Sequence, residues 1–415
     1  MHGTTAAIGT AGAAAPSTFA ALRHPNYRYF WIAQGLSVMG MTMEFVALGW
    51  LVYHLTGSAL VLGVTGLVQA FPRIALTLIG GAAADRIDRR KLLIGVQGVV
   101  AAMYFTLATL VFLEVVQVWH VWVLAFVLGS LRAFDNPSRQ AIIPMLVTKE
   151  EIPSAVALGN LAWEVPRLIG PATAGVLISY IGLGPTFYVA SIGFILSMFM
   201  YTVMRTQHAE APRANGTFLH DIGDGLNFVR RNELFAAFMG LVFFNSIFGM
   251  SYQLLMPVFA RDILDVGSEG FGFLQAAIGA GAIVGSLSAA KLARSGKRGV
   301  RALAGAALFG LLIIGFAWSR SFPLSLVLMF AMGATSAFYM ITISTTLQVL
   351  VPNDYRGRVM GLWSLSFSLP PLGGTISGLV AEYIGVPGAV CLGGVMVIAM
   401  AAVVALLVPR VRQLD

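Results

Sequence analysis

The sequence predicts an all-α integral membrane protein with twelve transmembrane helices in two six-helix, pseudo-symmetric halves. Three observations predict it. Hydrophobic residues fill 58% of the 415 positions against 11% charged, and the mean hydropathy is +0.82; soluble globular chains carry roughly 25% charged residues. Apolar runs of about 20 residues, the length that crosses a bilayer, recur from Tyr27 to Arg410. The chain also repeats itself: Gly170, Gly175, Tyr180, Ile181 and Gly182 return about 203 residues later as Gly373, Gly378, Tyr383, Ile384 and Gly385. Parallel halves of this kind are related by an axis along the membrane normal.

From the N-terminus, residues 1–21 read as a disordered cytoplasmic tail, Ala/Gly/Thr-rich and without Lys or Arg up to Thr18. The first half, 22–206, holds helices near 27–54, 58–84, 90–113, 119–139, 152–181 and 184–206. A polar cytoplasmic linker, 207–232, contains Pro212, Asn215 and Gly216, and its latter part suits an amphipathic helix on the inner surface. The second half, 233–415, holds helices near 233–261, 269–293, 299–319, 323–350, 357–384 and 386–409. Gly57-Ser58 and Gly267-Ser268 are a further echo between the halves.

Charge placement sets the orientation. With the N-terminus inside, 22 of the 26 Lys and Arg residues fall on inner loops and flanks, and only Arg261 and Arg320 fall outside. That asymmetry predicts a multi-pass protein of a bacterial inner membrane with both termini cytoplasmic. The net charge of +8 then reflects contact with anionic lipid, and no nucleic acid partner is expected. The lone cysteine, Cys391, is a packing residue. No Gly-x-x-x-x-Gly-Lys loop cradles a phosphate, and no His/Cys/carboxylate cluster has metal-ligand spacing. We therefore expect no catalytic residue, metal or cofactor, and no enzyme.

The stretch Gly80-Gly81-Ala82-Ala83-Ala84-Asp85-Arg86-Ile87-Asp88-Arg89-Arg90-Lys91 packs six charges into seven residues between two apolar runs. It resembles the signature loop between the second and third helices of the major facilitator superfamily. Leu22-Arg23-His24-Pro25-Asn26-Tyr27-Arg28, Leu55-Thr56-Gly57-Ser58 and the segment from Asp135 to Pro144 resemble its enterobactin-exporter-like and macrolide-efflux-like branch. Asn160-Leu161-Ala162 with Gly170-Pro171-Ala172-Thr173-Ala174-Gly175 looks like the antiporter motif of fifth helices in exporters. There are departures: Asp88 stands where the loop usually has Gly, Ala174 where the antiporter motif often has Gly, and the arginine motif of the fourth helix is not recognisable. The resemblance implies a major facilitator fold and a monomeric secondary transporter. It would export a siderophore- or drug-like small molecule by alternating access with proton antiport. An importer or facilitator of the same fold, and a non-transporting sensor or scaffold, are the alternatives.

The resemblance also implies roles. Gly81, Asp85, Arg86, Arg89 and Arg90, with Arg132 and Arg139 as basic partners, would form a cytoplasmic gate. Pro166, Gly170, Pro171 and Gly175, matched by Pro370, Pro371, Gly373 and Gly374, place helix breakers at equivalent depths and mark hinges. Charges at bilayer depth are costly, so Glu44, Arg73, Glu164 and Arg167, with Asp135 nearer an end, are candidates for proton coupling or cavity charge. Glu164 and Arg167, three apart, can pair within their own helix; Glu44 has no such partner, though Arg73 could reach it. Gln34, Ser37, Met41 and Glu44 share a helix face, as do Gln69 and Arg73. In the second half Asn245, Phe248, Tyr252, Gln253, Tyr339 and Thr342 supply the expected cavity surface.

Overall fold

A computed structural model describes residues 19–84, 88–205, 218–292 and 296–414. It is helical throughout. The first half comprises α1 (Pro25–Thr56), α2 (Ala59–Ala84), α3 (Arg89–Phe112), α4 (Val118–Ile142), α5 (Ile152–Ile181) and α6 (Leu183–Val203). A linker helix, α7 (Phe218–Arg231), precedes the second half. That half comprises α8 (Glu233–Phe244) and α9 (Tyr252–Val258), joined in one interrupted span, then α10 (Gly267–Leu292), α11 (Arg298–Trp318) and α12 (Phe322–Leu350). It ends with α13 (Asn353–Ser366), α14 (Pro370–Leu407) and the short α15 (Pro409–Arg412). Ten described helical stretches are long and apolar enough to cross a membrane, one of them the merged run Asn353–Leu407 that holds two spans. With α5 packed among them, the spans number twelve.

The repeated glycines explain the matching turns. Gly57 closes α1 with φ 61° and Gly267 opens α10 with φ 63°. Gly182 separates α5 from α6 with φ 89°, and its repeat mate Gly385 kinks α14 with φ 76°. These left-handed values favour residues without Cβ, so each half turns at the same two places. At the far end of the bundle Asp88 caps α3, accepting from Arg90 N at 2.9 Å and Lys91 N at 3.3 Å. The residue that departs from the signature loop thus satisfies two orphan donors. The linker helix docks on the second half. Asp224 pairs with Arg358 at 3.2 Å, and Phe228 stacks on Tyr355 at 4.4 Å.

Two expectations about helix breaks need correction. Pro166 and Pro171 lie inside α5, which runs unbroken from Ile152 to Ile181. Thr42 of α1 packs against this stretch, donating to Pro166 O at 3.2 Å, where a Cβ on Gly170 would come within 2.0 Å of the hydroxyl. By contrast, the eleventh span does break, between Ser366 and Pro370, and Pro370-Pro371 open its second segment. The seventh span, expected to be regular, contains π turns at Asn245–Gly249 and Phe259–Ile263.

The halves meet through α5 against α10 and α2 against α14, across glycines. A Cβ on Gly175 would lie 2.5 Å from Ser268 O, and one on Gly272 2.4 Å from Pro171 O. One on Gly63 would lie 2.5 Å from Thr375 Cα, and one on Gly378 2.7 Å from Ala59 O. Small residues allow this backbone contact where apolar lipid gives no hydrophobic drive to association. Tyr53 donates to Asp262 with Arg261 5.6 Å from its ring centre, Trp50 stacks on Phe271 at 6.3 Å, and Ser268 donates to Gly175 O at 3.3 Å. These contacts lie toward the end that carries the Gly57 and Gly182 turns. We expect Gly175→Val to cost about 1–3 kcal/mol by overpacking. The loss reads as a lower melting temperature in detergent, with Gly35→Ala, which meets nothing within 4 Å, as an unchanged control.

Candidate functional site

A cavity of about 510 Å³ lies between the halves. Met41 and Glu44 of α1, Gln69 and Arg73 of α2, Arg132 of α4, and Trp163 and Arg167 of α5 line it from the first half. Gln253 of α9, Phe271 and Gln275 of α10, and Phe367 at the α13–α14 break line it from the second. All the lining charges come from the first half.

Its centre is an ion pair. Glu44 is 2% exposed; Arg132 donates to one carboxylate oxygen at 2.7 Å, and Gln69 approaches the other at 3.5 Å. The Tyr104 hydroxyl is buried nearby without a hydrogen bond of its own. Arg132 therefore lines the cavity as the partner of Glu44, and Glu44 is not the unpartnered acid its own helix suggests. The link spans 88 residues and joins different helices, which helix periodicity does not register.

A second charged cluster is sealed inside the first half. Arg139 donates to Asp135 at 2.7 Å, to the Tyr201 hydroxyl at 2.8 Å and to Ser37 at 2.9 Å. Gln97 donates to Asp135 at 3.4 Å and accepts from Ser37 at 3.2 Å. Asp135 and Ser37, expected in the cavity, belong here, as does Arg139, expected at the gate. Gln34 is likewise buried and donates to Gly159 O at 3.3 Å. The reason is the path of α1. Tyr27 and Trp31 also bond to carbonyls at the start of α5, so the lower third of the helix is buried and only the stretch from Met41 onward reaches the cavity. Only the i,i+4 spacing of Asp135 and Arg139 could have revealed this cluster; Gln97 and Tyr201 carry no such sign.

Glu164 and Arg167 stand 3.5 Å apart with side chains about half exposed, and only Arg167 lines the cavity. Asp85 and Arg86 lie outside the described residues, and Gly81 is in the last turn of α2. Arg90 donates to Tyr201 O at 2.9 Å and to Thr202 O, neutralising carbonyls at the end of α6, and Arg89 reaches Met145 Sδ at 3.6 Å. In the second half Tyr252 and Tyr339 flank Phe309 in the packed core, at 6.5 and 5.9 Å between ring centres. Thr342 bonds back to Phe338 O, and Phe248 packs on Phe244. Neither amide atom of Asn245 has a partner. None of these five lines the cavity. The π turn that begins at Asn245 inserts one residue, rotating the residues beyond it by about 100° from the expected face. Gln253, beyond it, does reach the cavity, and so do Trp163, Phe271, Gln275 and Phe367, which sequence reasoning missed.

Comparison with known proteins decides the family, because the profile of the transmembrane secretion effectors matches residues 16–415. The chain belongs to that family of the major facilitator superfamily. Macrolide efflux protein A of Streptococcus pyogenes is 24% identical over 391 residues, covering 93% of this chain and 96% of that protein. The multidrug efflux pump Tap of Mycolicibacterium fortuitum is 28% identical over 392 residues, covering 91% and 94%. The enterobactin exporter EntS of Shigella boydii is 25% identical over 345 residues, covering 82% and 81%. Among solved structures, the nucleoside transporter NupG superposes with a TM-score of 0.72 at 13% identity, covering 91% of this chain and 98% of that one. A bacterial Spinster homologue gives 0.71 at 14%, covering 94% and 97%. The protein is a multi-pass transporter of the efflux type, not an enzyme.

Removing one member of a buried ion pair costs about 3–5 kcal/mol, because the other is left charged in a low-dielectric site. Glu44→Gln and Arg132→Gln should each lower the melting temperature. The double variant should lose less than the sum of the singles. Additive losses in this cycle would show that the two side chains are not coupled.

Proposed function

We propose that this protein exports a siderophore- or drug-like organic molecule across a bacterial inner membrane. It works as a monomer in lipid, by alternating access in exchange for protons. The observation that carries the reading is Glu44, a buried carboxylate lining the cavity between the halves and held by Arg132. The basic residues put both termini in the cytoplasm, so the glycine contacts and the Tyr53–Asp262 link lie on the outer side. The cavity is then closed to the outside, as in the inward-facing step that loads cytoplasmic substrate. Here Arg132 clamps the Glu44 carboxylate at 2.7 Å. A proton arriving from the outside after substrate release cancels the carboxylate charge and weakens the clamp. The charges that surround it are Arg132, Arg73 and Arg167, with Gln69 and Tyr104 as its neutral neighbours. The efflux relatives, a macrolide efflux protein, a multidrug efflux pump and an enterobactin exporter, support an outward direction and a substrate of this kind.

The test is flux from proteoliposomes loaded with enterobactin. A proton gradient opposite to the flux should speed release about tenfold. The Glu44→Gln/Arg132→Gln double variant, which strands no charge, should move substrate at a rate insensitive to the gradient. Accumulation driven by a gradient in the same direction as the flux would mean import, and the absence of flux would remove transport.

Closure of the outer end gives a separate expectation. Tyr53→Phe deletes the hydroxyl that donates to Asp262, a hydrogen bond to a charged group worth about 1.5–3 kcal/mol. The variant should shift toward outward-open, read as a longer spin-label distance between the outer ends of α1 and the α8–α9 span.

A further inference from the structure

We infer that the cavity takes an organic anion: a carboxylate-bearing molecule with an aromatic body and a hydrogen-bond donor close to the acid. The inference rests on the export reading of the same cavity. Two guanidinium groups, Arg132 and Arg167, line the space against one carboxylate among the described lining residues, that of Glu44. That carboxylate is already engaged, with Arg132 on one oxygen and Gln69 at the other. An organic cation entering here meets positive charge in a low-dielectric site and must displace Arg132 to reach its only counter-ion in the lining. An anion meets the opposite situation.

Arg167 is the anchor the geometry offers. Its side chain is 54% exposed and stands 3.5 Å from Glu164, whose own side chain is 44% exposed and outside the cavity lining. So loose a bridge is weak beside the two parallel hydrogen bonds a guanidinium makes to a carboxylate. Trp163 lies one turn earlier on the same face of α5 and also lines the cavity, a flat apolar wall beside the charge. Across the gap, Gly272 and Gly279 of α10 pack against Pro171 O and Arg167 O. Gln275, between them, therefore faces the same stretch of α5. It is 9% exposed, lines the cavity, and its Oε1 accepts no hydrogen bond. A buried acceptor without a donor is costly, and a ligand N–H or O–H next to the acid would satisfy it. Phe271, one turn before Gln275, adds an aromatic surface from the second half. The ligand would thus touch both halves, and its charge would fall on the first.

Three probes of one shape separate the charge states: 1-naphthaleneacetate, 1-naphthaleneacetamide and 1-naphthylmethylamine. Binding is measured by calorimetry on the full chain in lipid nanodiscs. We expect the acid to bind at least tenfold more tightly than the amide, and the amine not to compete with it. Arg167→Gln should abolish the preference for the acid, and Arg167→Lys should keep part of it, a point charge without the bidentate fork. Glu164→Gln frees Arg167 and should tighten the acid severalfold; it stands as the second arm if Arg167→Gln does not fold. Tighter binding of the amine, equal binding of all three, binding of none, or a Glu164→Gln variant that weakens the acid overturns the inference. The flux assay fails separately. A protein that moves enterobactin but prefers the amine keeps the transport reading and loses this one; one that binds the acid as expected but shows no flux does the reverse.

Discussion

The cost of holding charge away from water governs how this molecule is built. Glu44 at 2% exposure is tolerable because Arg132 lies 2.7 Å away, and Arg139 is tolerable because Asp135, Tyr201 and Ser37 occupy its donors. Each cluster ties α1 to α4, the first by its middle and the second by its lower third. The first half is therefore braced by charge as well as by packing, and moving α1 relative to α4 would uncover a charge in a low-dielectric interior. That constraint favours movement of the half as one body over bending of its helices.

The seam between the halves is built on the opposite principle. Glycines at 63, 175, 272 and 378 bring backbone against backbone with few side chains interlocked. Such a surface is tight when closed. Among the described residues, two polar links cross it at one end: Tyr53 to Asp262, and Ser268 to Gly175 O. A rigid half, a smooth seam and a small polar latch at one end are what rocking around a central cavity requires.

Some of this was legible in the sequence and some was not, for identifiable reasons. Helices follow from apolar length, and the turns at Gly57, Gly182, Gly267 and Gly385 follow from the repeat, because a left-handed backbone favours residues lacking Cβ. The break before Pro370 was readable too. The expected break at Pro171 does not occur: α5 continues through both prolines, with Thr42 of another helix lodged against Gly170. Periodicity showed that Gln34, Ser37 and Glu44 share a face but not that the lower part of that face is covered by α5 and by the Arg139 cluster. Above all, the partner of Glu44 is on another helix, and nothing local to either residue announces it.

Among the described residues, buried polar groups without a partner gather in the second half, with the Tyr104 hydroxyl as a counterpart in the first. Asn245 is buried with both amide atoms unpartnered at the start of a π turn, and the Tyr339 hydroxyl is buried without a partner. Each orphaned group costs roughly 1–3 kcal/mol in this conformation. Those costs lower the stability of this arrangement and so narrow its gap to any arrangement in which the groups find partners or water. π turns concentrate at functional places because they hold a helix in a register it can leave. The division of labour follows from the chemistry. The first half fixes the lining charges, and the second supplies an uncharged wall: Gln253 and Phe367 beside interruptions of the backbone, Phe271 and Gln275 on the unbroken α10. The part of the wall beside those interruptions can yield without moving a lining charge.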